Sequence, residues 1–394
     1  MLHNPVIASQ GRKLRLAVIG GGPSSFIGTV HRGAALLEEH YEVVASVLSS
    51  DPIKSVQYAK DIGIPRGYAS AEALFETEVT LKDKADVIAI MTPNNSHFDL
   101  VNRALELGFH VMCEKPLTNK VDEALSLVNA VRKHQRECCI AFAYSGYPMI
   151  RQAQAMIQAG ELGEIRMVQS EYVQGHLAAL TQGELEQSNW HMKPDMVGPS
   201  LILGDIGTHC YHLAAFVVGR EPSEICADIA TLVPDRAADD YTGILMRYAN
   251  GARGSFVITQ SAAGADHGLY LRVFGEKGGI EWHQEQPNQL IVRWLDEPTQ
   301  VLQKGGKGLH EAAKKVSRIA VGHPEGYREA FANLYTDLAE AIVDRENGKQ
   351  PRSQKRVFPT IEEGAQGVRF VDAALRSHQQ NGSWVAIPAA QDDL

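Results

Sequence analysis

The sequence contains few cysteines, no long apolar run and no excess of basic residues, and each absence narrows what the protein can be. Five cysteines in 394 residues, with an adjacent pair at Cys138 and Cys139, fit neither a disulfide framework nor a zinc-ligand spacing. No apolar run approaches the roughly 18 residues that a membrane-spanning helix requires. Residues 1–11 lack the charged start and apolar block of a signal peptide. We therefore expect a soluble protein of the cytoplasm that does not cross a membrane.

The charge balance is acidic, with 38 Lys and Arg against 47 Asp and Glu and a net charge of -9. This balance disfavours nucleic acid as the main partner, because phosphate binding requires an electropositive surface. Hydrophobic residues make up 44% of the chain, which is enough for a substantial core. At about 150 residues per domain, the length predicts two domains.

Short apolar runs alternate with helical patterns through the first 140 residues. The strand candidates are residues 14–20, 41–48, 86–92 and 110–113. Helical spacing is present at residues 27–39 and 96–107. Alternating strands and helices are typical of β-α-β units around a parallel sheet. We therefore predict one doubly wound α/β domain over residues 1–140.

After residue 147 the pattern changes to one-sided strands joined by short turns. The strand candidates are residues 165–173, 224–232, 242–248, 254–259, 269–275, 279–283 and 289–295. Turns such as Asn250-Gly251 indicate hairpins and hence a mostly antiparallel sheet. Helices are predicted at residues 151–159, 201–218, 327–345 and 362–379. Residues 141–394 are thus predicted to form a second α/β domain. Its basic stretch 304–318 is predicted to be a mobile surface loop, with a cleft or interface element as the alternative.

A glycine-rich turn, G-G-G-P-S-S-F-I-G, follows the first strand at residues 20–28. Such a turn lets backbone N–H groups approach a pyrophosphate at a helix N-terminus. The dinucleotide fingerprint G-x-G-x-x-G is incomplete, because Gly20 and Gly22 fit but Ser25 occupies the third position. Gly28 serves that purpose if the turn is longer than usual. A tight turn without a ligand is the alternative interpretation.

The end of the second strand reads S-S-D-P, where a dinucleotide-binding domain contacts the adenosine ribose. Asp51 would accept from a ribose 2′-OH and favour NAD. Alternatively, Ser49, Ser50 and Lys54 would hold a 2′-phosphate and favour NADP, and an ordinary turn explains the same residues equally well. We predict NAD as the cofactor, with NADP as the alternative.

Two further motifs, T-P-N-N-S-H at residues 92–97 and C-E-K-P at residues 113–116, follow the next two strands. The carboxyl ends of parallel strands present ligand-binding groups at one edge of the sheet. The ammonium of Lys115 would face the same cleft, and the following proline biases Lys115 to an extended backbone. Taken alone, Lys115 is better explained as a surface lysine at a strand end.

These motifs, together with G-D-I-G-T-H at residues 204–209, resemble the glucose-fructose oxidoreductase / inositol dehydrogenase family, Gfo/Idh/MocA, over roughly residues 14–379. The longer forms G-G-G-P-x-x-F-I-G-x-V-H-R, Y-P-M-I-R-Q-A and G-H-P-E-G-Y resemble its branch of levoglucosan dehydrogenase and related sugar 3-dehydrogenases. The resemblance implies a Rossmann domain, a second domain with a large open sheet and a bound nicotinamide cofactor. It also implies a homodimer or homotetramer associated through that sheet.

The resemblance assigns roles to individual residues. Lys115, Asp205 and His209 match the family's active-site lysine, aspartate and histidine. The predicted cofactor contacts are Gly20, Gly22, Ser25, Phe26, Ile27, Ser49, Ser50, Asp51, Lys54, Thr92, Pro93, Asn94, His97, Glu114 and Lys115. The predicted substrate contacts are Lys115, Tyr144, Tyr147, Trp190, His191, Asp205, His209 and His323. Lys193 is a further substrate candidate. For Trp190 the alternative is a position in the core, which is the commoner role of a tryptophan.

The spacing of Asp205, His209 and His212 agrees with this assignment, because residues i, i+4 and i+7 share one face of a helix. An N-cap role for Asp205 and core positions for the two histidines are the alternatives. No metal site is predicted, because no second cluster of conventional ligands is present. Many family members carry an aspartate where this chain has His212, so the exact sugar is left open.

The resemblance implies that the protein oxidises a secondary alcohol of a sugar, anhydrosugar or cyclitol, at C3 in the branch named above. The cofactor accepts the hydride, and the protein supplies orientation and proton transfer. His209 is the preferred base, with Lys115 polarising the reacting oxygen, and Lys115 as the base is the alternative. A redox-neutral enzyme that keeps its NAD bound and a non-catalytic NAD sensor are the rival functions.

Overall fold

A computed structural model describes residues 4–180, 183–184, 194–349 and 357–388 of the chain. These residues divide into two compact units. The first contains Met1–Thr118, Asp122–Ala143 and Arg328–Ala365, and the second contains Asn119–Val121, Tyr144–Tyr327 and Gln366–Leu394.

The first unit is built on a six-stranded sheet in which every neighbouring pair is parallel. Its strands are β1 (Leu14–Gly20), β2 (Tyr41–Val47), β3 (Arg66–Gly67), β4 (Val87–Met91), β5 (His110–Cys113) and β6 (Cys138–Ile140). Their order is β3-β2-β1-β4-β5-β6, so the chain reverses direction across the sheet between β1 and β4. A ligand crevice opens at the carboxyl ends of such a pair. The predicted doubly wound parallel sheet is confirmed.

Six helices accompany the described strands of this sheet along the chain. They are α1 (Pro5–Gln10), α2 (Phe26–Leu37), α3 (Pro52–Asp61), α4 (Ala71–Glu78), α5 (His97–Glu106) and α6 (Val121–His134). Asp51 is the N-cap of α3, and its carboxylate accepts from two backbone N–H groups of the first turn. A side chain in this position satisfies donors that lack a partner within the helix.

The second unit is built on a nine-stranded sheet of order β14-β13-β12-β11-β7-β10-β9-β8-β15. Its strands are β7 (Ile165–Gln174), β8 (Glu224–Ala230), β9 (Tyr241–Arg247), β10 (Arg253–Thr259), β11 (His267–Gly275), β12 (Gly278–His283), β13 (Gln289–Trp294), β14 (Gln300–Gln303) and β15 (Val385–Ala386). Strands β7 and β10 run parallel, and the other neighbouring strands run antiparallel. The predicted mostly antiparallel sheet is therefore confirmed.

The later helices are α7 (Pro148–Gln158), α8 (Pro194–Val197), α9 (Thr208–Val218), α10 (Glu311–Lys315), α11 (Tyr327–Glu346) and α12 (Ile361–Gln379). A π-helical turn at Leu203–Gly207 leads directly into α9. The single helix predicted at residues 201–218 therefore contains a local widening. No helix within the described residues is both long and apolar enough to cross a membrane.

The division into two units differs from the predicted boundary at residue 140, because residues 328–365 lie in the first unit. Helix α11 explains this assignment. The Phe331 ring lies 4.8 Å from the ring of His31 on α2, and Tyr41 on β2 donates to the carbonyl of Tyr335 at 2.9 Å. A helical periodicity in the sequence predicts α11 but does not reveal on which sheet it packs.

The prediction of a mobile surface loop at residues 304–318 is wrong at the first residue, Lys304, which is buried. The segment also contains the short helix α10. Lys304 is 2% exposed, and its ammonium donates to Glu325 at 2.8 Å and to the carbonyl of Ile319 at 2.9 Å. Burial disfavours the charged form of Glu325, but hydrogen bonds from Lys304 and two backbone N–H groups outweigh that effect and lower its pKa. The buried ion pair fixes the two ends of this segment.

Removal of the Lys304 ammonium should destabilise the fold. Lys304→Ala leaves the buried Glu325 carboxylate with backbone donors and the more distant guanidinium of Arg318, 3.6 Å away, and breaking a buried pair in this way costs about 3–5 kcal/mol. Urea unfolding followed by circular dichroism measures the change. Lys307→Ala, at an exposed position of the same segment, is the matched control and should lie within about 0.5 kcal/mol of the parent. Equal stabilities of the two variants would contradict this account.

Candidate active site

The glycine-rich turn after β1 brings three backbone segments unusually close together. Gly20 and Gly21 have positive φ angles of 85° and 63°. A Cβ atom on Gly20 would lie 2.4 Å from the carbonyl oxygen of Met91, and one on Gly22 would lie 2.6 Å from that of Leu48. These distances leave no room for a side chain, so the turn exposes bare backbone at the carboxyl edge of the sheet.

Gly28 takes the place of the third fingerprint glycine. A Cβ atom at Gly28 would lie 2.1 Å from the carbonyl oxygen of Gly21, so helix α2 reaches the turn only because this residue is glycine. Ser25 instead forms the N-cap, and its Oγ accepts from the N–H of Gly28 at 3.1 Å. The turn is thus longer than usual, as the sequence analysis required for Gly28 to replace the third fingerprint glycine. Phe26, next to the cap, is largely exposed.

The end of β2 presents a carboxylate to the same edge of the sheet. Asp51 Oδ1 accepts from the N–H groups of Ile53 and Lys54, each at 3.0 Å, and Ser49 Oγ accepts from the N–H of Asp51 at 3.1 Å. Ser50 and Lys54 are exposed. A carboxylate here repels a 2′-phosphate and accepts from a 2′-hydroxyl, which favours NAD over NADP.

His97 joins the T-P-N-N-S-H and E-K-P turns. The ring is fully buried, with Nδ1 2.9 Å from the carbonyl oxygen of Pro116 and Nε2 3.0 Å from that of Thr92. Burial lowers the pKa of His97, although the hydrogen bonds to these two carbonyls act in the opposite direction. His97 therefore connects the turn at Thr92 with the turn at Lys115 and Pro116. Asn94 is buried in the short helical turn just before His97.

Glu114 is held by a buried chain of hydrogen bonds. Its Oε1 lies 2.8 Å from His31 Nε2, and its Oε2 accepts from the N–H of Lys115 at 3.1 Å. The other ring nitrogen of His31 lies 2.7 Å from the hydroxyl of Tyr335. Burial opposes ionisation of Glu114, but these contacts and the nearby Lys115 charge lower its pKa. The carboxylate thus fixes the backbone beneath Lys115, whose side chain is half-buried.

In the second unit, Asp205 lies in the π-helical turn and His209 lies one turn later in α9. The N-cap interpretation of Asp205 is wrong, because this helical segment begins earlier and is capped by other residues. Ser200 Oγ accepts from Leu203 N at 3.1 Å, and Asp239 accepts from Leu201 N at 2.9 Å. Asp205 Oδ2 instead accepts from Gln260 Nε2 at 2.8 Å.

Tyrosine rings surround His209. The Tyr144 ring lies edge-on to the imidazole at 4.8 Å, and the Tyr172 ring lies 6.3 Å from it. The two tyrosine hydroxyls are 2.6 Å apart, and Tyr327 packs 6.1 Å from Tyr144. Burial raises the pKa of Tyr172 well above its ordinary value, and the neighbouring Tyr144, Tyr327 and Asp205 add to the shift. Tyr172 and Tyr327 were not among the residues predicted from the sequence.

The other predicted substrate contacts fall into three groups. Tyr147 is buried, stacks 6.4 Å from the Tyr144 ring and packs 5.5 Å from the Trp282 ring. His323 is exposed in its turn, and none of its described contacts joins it to His209. Trp190, His191 and Lys193 lie outside the described residues.

His212 is a core histidine, stacked on Phe216 at 5.8 Å and buried. It occupies the position where the resemblance leads us to expect an aspartate. Across the described ranges, no three histidine, cysteine, aspartate or glutamate side chains are grouped so as to hold a metal ion.

Two family models match the chain in succession. The oxidoreductase family with an NAD-binding Rossmann fold matches residues 14–142, and the GFO/IDH/MocA C-terminal domain matches residues 150–281. The first match contains the glycine turn and Lys115, and the second contains Asp205 and His209.

Three relatives match nearly the full length. An uncharacterized oxidoreductase of Bacillus subtilis, YfiI, is 32% identical over 98% of this chain and 99% of its own length. A crystal structure of an inositol dehydrogenase homolog from Azotobacter vinelandii, complexed with NAD+, superposes with a TM-score of 0.92 at 36% identity, covering 95% of this chain and 97% of that one. Levoglucosan dehydrogenase from Pseudarthrobacter phenanthrenivorans is 25% identical over 96% of this chain and 99% of its own.

The resemblance to levoglucosan dehydrogenase is thus weaker than the resemblance to the inositol dehydrogenase homolog. The relationship at the family level rests on identity above 30% over almost the whole chain and on both family models. The glycine turn that leaves no room for side chains lies within the matched NAD-binding Rossmann domain. The chain belongs to the Gfo/Idh/MocA family of NAD-dependent oxidoreductases.

Proposed function

We propose that this protein oxidises a secondary hydroxyl of a cyclitol, sugar or anhydrosugar to the ketone. The observation that carries the proposal is the cluster of Asp205 and His209 with hydrogen-bonded tyrosines in the second unit. Carboxylate, imidazole and phenol groups supply the acceptors and donors that a polyhydroxylated ring requires. The cluster, as far as its residues are described, is too polar for an apolar substrate.

The glycine turn and Asp51 fit a dinucleotide in the first unit. Backbone N–H groups at the start of α2 meet the pyrophosphate, and Asp51 meets the adenosine ribose. NAD, when bound, supplies the hydride acceptor. The net charge of -9 does not oppose this binding, because the helix N-terminus and backbone amides act locally.

We assign proton transfer to His209 and electrostatic stabilisation to Lys115. Imidazole titrates near neutral pH and is suited to take the hydroxyl proton. The ammonium of Lys115 stabilises the negative charge that develops on the substrate oxygen. Asp205 orients the ring hydroxyls. Glu114, His31 and His97 hold the turns from which Lys115 projects.

The relatives favour a cyclitol over an anhydrosugar. A second structure of the Azotobacter homolog, with NADH and myo-inositol, superposes with a TM-score of 0.88 at 35% identity, covering 95% of this chain and 98% of that one. Levoglucosan dehydrogenase is less similar, at 25% identity. The aspartate that is replaced by the buried His212 separates this chain from many members of its family. We therefore place inositols first among the candidates.

The substrate class is tested by spectrophotometry. NAD and NADP are each incubated with a panel of inositols, pyranoses, pentoses and levoglucosan, and reduction is followed at the absorbance of the reduced cofactor. We expect NAD reduction with at least one inositol and slower reduction with NADP. No turnover across the panel, with cofactor co-purifying, would instead support a redox-neutral enzyme. No turnover and no bound cofactor would contradict both.

Lys115→Ala should lower kcat with the best substrate of the panel by about 10²- to 10³-fold, which is the usual cost of one group that stabilises a developing oxyanion. NADH affinity, measured by fluorescence titration, should fall much less than kcat, because the glycine turn is intact. Lys60→Ala, at an exposed position on α3, is the control and should retain the parent rate. A Lys115→Ala variant with full activity would exclude the proposed role.

We also propose that the open face of the nine-stranded sheet joins copies of this chain into a homodimer or homotetramer. Inward residues of β9 and β10 are buried, whereas Leu245 and Val257 on the outward face are 54% and 40% exposed. Cross-strand pairing places the two side chains diagonally on neighbouring strands. Exposed aliphatic groups on a sheet face are suited to sheet-to-sheet contact.

Charge on this face should dissociate the oligomer. The double variant Leu245→Glu with Val257→Glu is expected to elute as a monomer when light scattering follows size-exclusion chromatography. Leu232→Glu changes a similarly exposed leucine, 58% accessible, beyond the end of β8, and should keep the parent mass. A monomeric parent protein would contradict the proposal, as would a double variant that keeps the parent mass.

A further inference from the structure

The parallel pair β7 and β10 brings polar side chains to one edge of the nine-stranded sheet. Gln174 is the last residue of β7, and Gln260 follows the last residue of β10. Strand β11 runs antiparallel to β7 and begins at His267, directly opposite Gln174. Because parallel strands end at the same edge, these three side chains are neighbours. All belong to the second unit, as Asp205 does.

A continuous chain of hydrogen bonds connects these residues to Asp205. Gln260 Nε2 donates to Asp205 Oδ2 at 2.8 Å and to Gln174 Oε1 at 3.1 Å. Gln174 Nε2 lies 2.7 Å from His267 Nδ1. The backbone N–H of His267 donates to Glu285 at 2.9 Å. The chain thus extends from the π-helical turn to the first residue of β11 and its neighbour.

The charge of Asp205 sets the direction of every side-chain bond in this chain. An ionised carboxylate only accepts hydrogen bonds, so the amide nitrogen of Gln260, not its oxygen, must face Asp205. The same nitrogen faces Gln174, which must therefore present its oxygen. The nitrogen of Gln174 is then left to donate to His267, whose Nδ1 accepts. No member can reverse without placing two acceptors or two donors against each other.

Gln260 is fixed by burial and by its own backbone. Its side chain is 1% exposed and that of Gln174 is 3% exposed. The N–H of Gln260 donates to the carbonyl of Asp240 at 3.3 Å, and its carbonyl accepts from Leu177 at 3.2 Å. A donor held in this way restricts the carboxylate that it contacts to one orientation. The orientation of Asp205 is therefore set by the sheet edge as well as by its own helix.

We propose that Gln260 is a positioning residue that orients Asp205 toward the hydroxyl groups of the substrate. This inference rests on the proposed oxidation of a polyhydroxylated ring, in which Asp205 binds substrate. Gln260 does not contact the substrate itself. Its amide supplies one fixed donor to Asp205 Oδ2, so that the carboxylate meets the substrate in a single geometry. A displacement of about 1 Å at a reacting centre can cost roughly 100-fold in rate.

Gln260→Glu separates this role from simple packing, because it retains the shape of the side chain but removes the donor. The new carboxylate would replace a nitrogen that lies 2.8 Å from Asp205, and two carboxylates at that distance share a proton instead of both ionising. When the introduced carboxyl group is protonated, it donates to Asp205 as the amide does. The kcat/KM of this variant relative to the parent should therefore be lowest at alkaline pH and recover as the pH falls.

Titratable or charged groups near the pair include Tyr172 on β7, His176 after β7 and His267 on β11. His209 on α9 and the buried ion pair of Asp240 with Arg236 lie close by as well. Burial is the main cause that lowers the pKa of His176, although the nearby Asp205 raises it. These groups are present in the parent and in every variant, so the ratio of variant to parent at each pH cancels most of their titration. The recovery at low pH then reports the substituted side chain.

The experiment compares the parent with Gln260→Glu, Gln260→Met and Gln303→Glu on the best substrate of the panel. Between pH 6 and pH 9, Gln260→Met should lose about 10- to 100-fold in kcat/KM at every pH, because it offers no donor. Gln260→Glu should show a loss that shrinks by about 10-fold or more from pH 9 to pH 6. Gln303→Glu adds the same charge at an exposed position on β14 and should match the parent throughout.

A background of Asp205→Ala, which removes the acceptor of Gln260, supplies the last comparison. If Gln260 acts through Asp205, Gln260→Met should have less than a 3-fold further effect once Asp205 is changed. Gln260 variants with parental kcat/KM, or with a loss that is equal at all pH values and additive with Asp205→Ala, would overturn the inference and leave the proposed function intact. A parent protein inactive on the whole panel would overturn both.

Discussion

A carboxylate removed from water costs several kcal/mol unless donors meet it, and this constraint organises both units of the protein. Buried Glu114 is met by His31 and by the N–H of Lys115, half-buried Asp205 by Gln260, and buried Glu325 by Lys304. In each case a partner comes from a different element of the same unit. The bonds that satisfy the charge therefore also fix how those elements pack. The hydrogen bonds that neutralise these carboxylates are also contacts of the fold. The carboxylates of the candidate site therefore have defined orientations.

The sequence predicts most of the two sheets, for a physical reason that differs between them. Strands buried on both faces are continuous apolar runs, and the first run coincides with β1, Leu14–Gly20. Strands with one buried face alternate, and this pattern predicts β8 to β13 to within two residues at each end. The sequence prediction left residues 328–365 in the second domain. The contact of Tyr335 with His31 that ties them to the first unit joins residues 304 positions apart, so no local pattern reveals it. Periodicity records which face of a helix is apolar, but it holds no information about the partner.

The same distinction applies to the site. Local motifs singled out Lys115, Asp205 and His209 through the family resemblance that they carry, because each stands in a short, unusual run of residues. Gln260, Tyr172 and His31 were missed, because their neighbours are brought together only by strand pairing and helix packing. One signal was available for Gln260. A buried amide immediately after the apolar strand β10, at the carboxyl edge of the parallel pair, is polar where core residues are expected.

The π-helical turn at Leu203–Gly207 makes the candidate site depend on residue number as well as residue identity. An α-helix advances about 100° per residue, so an additional residue within one turn rotates everything that follows. Deleting a single residue there would restore a regular helix and turn Thr208–Val218 by about that angle. His209 would then turn away from the Tyr144 ring. The hydrophobicity and helix propensity of the segment would hardly change. A sequence comparison that allows gaps freely in this turn would therefore align relatives whose chemistry cannot be the same.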